Sequence, residues 1–109
     1  MANRNKQAGS RWELDVIKDL RAMGYEAVSS RSESRNADAR GIDIITDFKY
    51  NIQCKASVNN PNYHTLLTET DAELIFHRKM EKRKTKFYAI GEYVTMSKEI
   101  FYNLLKQQT

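Results

Sequence analysis

Gly41-Ile42-Asp43-Ile44-Ile45 and, a few residues further on, Ile52-Gln53-Cys54-Lys55 are two apolar runs that each carry a polar group where a buried strand should have none. Successive side chains of a strand point to opposite faces, so Ile42 and Ile44 share one face while Asp43 shares the other with Ile45. In the second run Ile52, Cys54 and Ala56 take one face and leave Gln53 and Lys55 together on the other. A tight reversal through Asp47, Phe48 and Lys49, centred near Phe48, sets Asp43 across from Gln53, with Lys55 one pleat further along.

A carboxylate and an amide oxygen are hard ligands suited to Mg²⁺ or Mn²⁺, ions that usually keep several waters and take further ligands from substrate phosphate. An ion held by Asp43 and Gln53 would activate a water and stabilise charge on a phosphate under attack. Lys55 would neutralise the same charge or orient the water, and the backbone carbonyl of Cys54 is placed to add a ligand. The three side chains fit the solvated face of an ordinary hairpin equally well, so this pattern alone leaves both readings open.

Upstream, Ser10-Arg11-Trp12-Glu13 is expected to open a helix that runs to about Met23 and stops at Gly24. Trp12, Val16, Leu20 and Met23 recur at helical spacing, with Ile17 widening the stripe. Glu13 lies on the edge of that face and can look toward a sheet. Ser10 and Glu13 also fit a capping box, which the residues by themselves favour.

Residues Arg31 to Arg40, rich in small polar and basic side chains, read as a loop able to grip a phosphate backbone just before the Asp43 strand. Asp38 within it is a rival ligand to Asp43, without a strand to fix it. The 109 residues, 40% of them hydrophobic, make one domain, residues 1–109, with a single core. A net charge of +4 and a pI near 9.2 suit a nucleic-acid partner. The single cysteine, Cys54, excludes an internal disulfide and reads as a packed thiol. The sequence shows no signal peptide, membrane-length apolar run or repeat, so an intracellular (cytoplasmic) protein is expected.

In the second half, Ser57 to Asn62 is a polar break containing the only proline, and Tyr63 to Leu67 stays unassigned. Thr70-Asp71-Ala72-Glu73 reads as a capping box opening a helix with Leu74, Ile75 and Met80 inward, ending in the basic run Arg78 to Lys84. That run is either a solvated helix end or a DNA-contacting surface. Lys86 to Val94 reads as a strand with Gly91 as a bulge or point of close approach. Ser97 caps a last helix whose Ile100, Phe101, Leu104 and Leu105 are core or a homodimer face. His64 and His77 have no ligand-spaced partner, so zinc is not expected and both read as surface or packing residues.

Taken in order, Arg4-Asn5-Lys6, Gly9 followed by Glu13, Arg31-Ser32, Asp43 and Gln53-Cys54-Lys55 resemble the PD-(D/E)xK nuclease superfamily, most of all the archaeal-type Holliday junction resolvases. The likeness covers most of residues 4 to 58. It implies an α/β fold with a restriction-endonuclease-like core, in which a mixed sheet of about four or five strands is flanked by helices. The implied order is helix, three strands, helix, strand, with an extra C-terminal helix. By the same likeness Asp43 is the principal metal ligand, Gln53 stands where Asp or Glu is usual, Lys55 is the catalytic lysine, and Glu13 completes the site through water. Arg4, Lys6, Arg11, Arg31, Ser32, Ser34, Arg35 and Arg40 are the residues set toward DNA. Gln53 brings no charge and should weaken the ion's hold unless Glu13 compensates. The expected activity is Mg²⁺- or Mn²⁺-dependent endonucleolytic cleavage of four-way DNA junctions by a homodimer, in recombination and repair. A restriction-like or nicking enzyme of the same fold, or a noncatalytic DNA-binding subunit, are the alternatives.

Overall fold

A computed structural model describes residues 4–107, and within them the side chains of all but residues 4–8, 32 and 33. The elements run α1 (Arg4–Ala22), β1 (Ala27–Ser29), α2 (Ser30–Glu33), α3 (Arg35–Ala39), β2 (Ile44–Thr46), β3 (Ile52–Ser57), α4 (Tyr63–Glu69), β4 (Leu74–Arg83), β5 (Lys86–Met96) and α5 (Lys98–Lys106). The five strands form one sheet in sequence order. Every neighbouring pair is antiparallel except β3 and β4, which run parallel across α4. The chain is thus α/β with a mixed five-stranded sheet. The partners Ile44 and Ile52 centre the β2–β3 reversal on Phe48, as expected, and just before β2 the Asp43 amide donates to the Ile52 carbonyl.

One face of the sheet carries the main core. Trp12, Val16, Ile17 and Leu20 of α1 pack on Ile44, Ile52, Cys54 and Leu74, and Ile100 and Leu104 of α5 join from the side. Trp12 Nε1 donates to the Phe76 carbonyl at 2.8 Å, which fixes α1 against β4. Alternation along β4 turns Ile75 and His77 to the other face, where α4 meets them through Tyr63, edge-on to the His77 ring. Glycine closes α1 as expected: Gly24 has φ +98°, and the Gly24 and Tyr25 amides bond the carbonyls of Arg21 and Leu20.

Four expectations are corrected. α1 starts at Arg4 rather than Ser10, because nothing between them but Gly9 opposes a helix and one glycine costs only about 1 kcal/mol. Ser10 is therefore inside the helix and forms no capping box with Glu13; its hydroxyl accepts from Arg31 instead. Met23 is exposed, since the helix has ended before it. Residues 31–40 are not a loop but the two short helices α2 and α3, capped by the hydroxyls of Ser29 and Ser34, so hydrogen bonds replace the missing apolar period.

The fourth correction is the largest. Leu74 to Arg83 is a strand, and the helix of this region is α4, capped by Asn62 on the segment left unassigned. A short apolar run buried on both faces has no period that distinguishes strand from helix, and pairing on both edges decides for strand. Thr70 and Glu73 cap no helix: Thr70 Oγ1 accepts from the Ala72 amide before β4, and Glu73 Oε1 accepts from the Asn51 amide before β3. The strand expected over Lys86 to Val94 is present and reaches Met96, with the bulge beside Gly91. Lys79 pairs with Gly91 and Met80 with Ala89, which leaves Ile90 as the extra residue. No described helix is long and apolar enough to cross a membrane.

Candidate active site

Asp43 stands at the entry to β2, held by backbone on both sides. Its carbonyl accepts from the Ser30 amide at 2.9 Å, and its own amide donates to Ile52 at 2.9 Å. Its carboxylate Oδ2 accepts from the Cys54 amide at 2.8 Å. The N–H and C=O of one strand residue leave on the same edge, so the Cys54 carbonyl also faces the Asp43 side. Burial pushes the Asp43 carboxyl above its ordinary pKa, against the pull of the Cys54 amide, Lys55 and Arg31.

Glu13 reaches the same neighbourhood from α1. It is 5% exposed, so sequence position and burial agree that it looks inward. One carboxylate oxygen, Oε2, pairs with Arg31 Nη2 at 3.2 Å, while Oε1 is buried with no hydrogen-bond partner. Its pKa is raised to about 7, first by burial and then by repulsion from Asp43, with Arg31 opposing and Asp38 adding a little. A buried carboxyl raised by a neighbouring carboxylate, with one oxygen left unbonded, is a group whose charge its protein partners do not fully balance.

Lys55 is exposed and lies close enough to Asp43 to lower its pKa. Beside it opens a cleft of ≈ 340 Å³ lined by Lys55, Ser57, the loop 59–62, and Thr65 and Leu66 of α4. Gln53 is buried: its Nε2 donates to the Gly41 carbonyl at 2.9 Å and its Oε1 has no partner. Alternation along β3 sends Gln53 and Lys55 to the face away from α1, whereas Glu13 approaches from the α1 side. Asp43 is the group that both sides reach. Glu13, Asp43, Lys55 and Arg31 share one electrostatic neighbourhood, with Asp38 at its rim.

Of the residues set toward DNA, Arg11 and Arg35 are exposed. Arg31 is paired to Glu13, Arg40 is paired to Asp71, and Ser34 caps α3. The side chains of Arg4, Lys6 and Ser32 lie outside the described residues. Sequence reasoning passed over Ser30, whose hydroxyl is fully buried without a partner and whose amide holds Asp43. The signal available was its place directly before Arg31. His77 packs as expected, between Ser57 and Tyr63, and burial lowers its pKa so that it stays neutral. Burial raises the Cys54 thiol pKa, which keeps it protonated and unreactive.

Among the described residues no group of three or more His, Cys, Asp and Glu side chains is placed to hold a metal ion. The donors present still suit Mg²⁺ or Mn²⁺, which need few carboxylates: the unpartnered Glu13 oxygen, the second Asp43 oxygen and the Cys54 carbonyl are all hard oxygen ligands. No family model matches the chain, and neither the curated proteins nor the solved structures give a significant match.

Proposed function

We propose that the chain is a divalent-metal-dependent DNA endonuclease of the PD-(D/E)xK type, with four-way junctions as its leading substrate. The observation that carries this reading is the buried, unpartnered Oε1 of Glu13 beside Asp43. Glu13, Asp43 and the Cys54 carbonyl would hold Mg²⁺ or Mn²⁺, and Gln53 supports the site through Gly41 with an oxygen to spare. Such an ion supplies an activated water and stabilises the charge that builds on a cleaved phosphate. Lys55 binds the scissile phosphate at the mouth of the cleft and neutralises its developing charge. Arg31 holds Glu13 in place and, half exposed, would offer its remaining N–H groups to a phosphate oxygen.

A noncatalytic DNA-binding subunit is the second reading, favoured by one observation: the Arg31 ion pair already balances part of the Glu13 charge. Calorimetric titration with Mn²⁺ separates the two. The enzyme reading expects one site per chain, weakened at least tenfold by Asp43→Asn and by Glu13→Gln. Absence of binding in the parent chain supports the subunit. Cutting of linear duplex as fast as of a junction moves the protein to the restriction-like branch.

A further inference from the structure

Beyond Lys79, β4 leaves the sheet. β3 ends at Ser57, whose partner is Lys79, so Met80 to Arg83 pair only with Lys86 to Ala89 of β5. The result is a two-stranded ribbon standing clear of the body of a molecule that measures 48 × 29 × 28 Å. The bulge at Ile90 sits at its root, where bulges re-aim a strand. Residues 81–86 are all exposed.

An isolated ribbon is marginally stable in water, so its residues should be chosen for stability unless they serve something else. The ribbon carries Lys82, Arg83, Lys84 and Lys86 against one carboxylate, Glu81, which pairs with Arg83 at 2.8 Å. Lys82 and Arg83 lie over the rings of Phe87 and Tyr88, which stiffens the ribbon and keeps both cations beside it. At the two-residue turn Lys84 has φ +57°, a conformation that favours glycine and costs a lysine on the order of 1 kcal/mol. A glycine would fold better there, and the chain places a charge instead.

We propose that this ribbon is an arm that grips duplex DNA through its phosphates, with Lys82, Lys84 and Lys86 as the contacts. It rests on the nucleic-acid reading above and adds the surface that holds the flanking duplex. A two-stranded ribbon fits the major groove of B-DNA. Lys55 is level with His77, and Arg83 lies six residues beyond it, about 20 Å along an extended strand. At 3.4 Å per base pair the arm meets phosphates roughly six base pairs, half a helical turn, from the one at Lys55.

The test is binding of a fluorescent 30-mer duplex and of a four-way junction in Ca²⁺ across a salt series, alongside cleavage in Mg²⁺. Replacing Lys82, Lys84 and Lys86 together by alanine should lower the slope of log K against log salt by about 2.7 and weaken binding at least tenfold. Lys84→Gly should lower the slope by about 1 while the melting temperature holds or rises, and Lys84→Arg should restore the slope. An unchanged slope and affinity in the triple variant would overturn the arm, whatever the cleavage result. A reduced slope with no cleavage by the parent chain would uphold the arm and remove the nuclease. Binding of anionic vesicles in place of duplex would also overturn it.

Discussion

Glu13 is the residue on which the chemistry turns, and its titration has a sign. Its carboxyl has an ordinary pKa of 4.5 and is raised to about 7 in the folded chain, by burial first and by Asp43 second. Below the lower value both states hold the proton and the group has no effect on stability relative to the neutral form. As pH rises toward 7 the unfolded chain loses its proton first, so stability falls, and the full penalty is present above the folded value. Metal-free urea unfolding should show Glu13→Gln more stable than the parent at pH 8, by roughly 1–3 kcal/mol, with the gap closing toward pH 4.5. Equal curves at both pH values would mean that Arg31 has already balanced the charge. Gly41 is the other residue under constraint. Its φ is +81°, and a Cβ there would meet Thr70 Cβ at 2.7 Å and Gln53 Nε2 at 2.9 Å. Gly41→Ala should therefore cost about 1–3 kcal/mol, read as a fall in melting temperature, and disturb the seat of Gln53. Asp43, Gln53 and Lys55 were legible from strand alternation, which gives their order without their depth. Alternation could not show that Gln53 turns its amide to Gly41, which depends on the turn between α3 and β2, nor that Ser30 is buried beside Asp43, which depends on the pairing of β1 with β2.

At the scale of elements, legibility followed local chemistry. α1, the β2–β3 reversal and α5 carry caps or periods that are complete within a few residues, and all three were found with errors only at their ends. β4 was read as a helix because Leu74-Ile75-Phe76 is apolar on both faces and Thr70 to Glu73 imitates a cap. What makes it a strand is pairing with β3 on one edge and β5 on the other, and neither partner is local. Its central position predicts a contrast. Ile75→Ala, at a fully buried site, should cost about 2–4 kcal/mol in urea unfolding. Ile90→Ala, at the exposed bulge, should stay within about 0.5 kcal/mol. Equal losses at the two sites would contradict the sheet order.

Across the whole molecule, one side chain joins the layers. Arg78 lies 4.4 Å from the Trp12 ring and pairs with Asp15 of α1 and Glu92 of β5, both at 2.7 Å. Sequence reasoning saw Arg78 only as part of a basic run, since its partners lie on elements far away in the chain. Burial of Glu13 depends on α1 being held to this sheet, so Arg78→Ala should lower both the melting temperature and the affinity for Mn²⁺. Exposed Phe101, Tyr102 and Leu105 leave the outer side of α5 uncovered, while Ile100 and Leu104 belong to the core. The central claim is that Glu13, Asp43 and Lys55 act together on DNA. The measurement that tests it most directly is cleavage of a synthetic four-way junction and a matched linear duplex in Mg²⁺, with Asp43→Asn and Lys55→Ala beside the parent chain. Paired incisions confined to the junction, reduced at least a hundredfold in both variants, are the predicted result. Junction binding without any incision by the parent chain, or incision that survives Asp43→Asn, would contradict it.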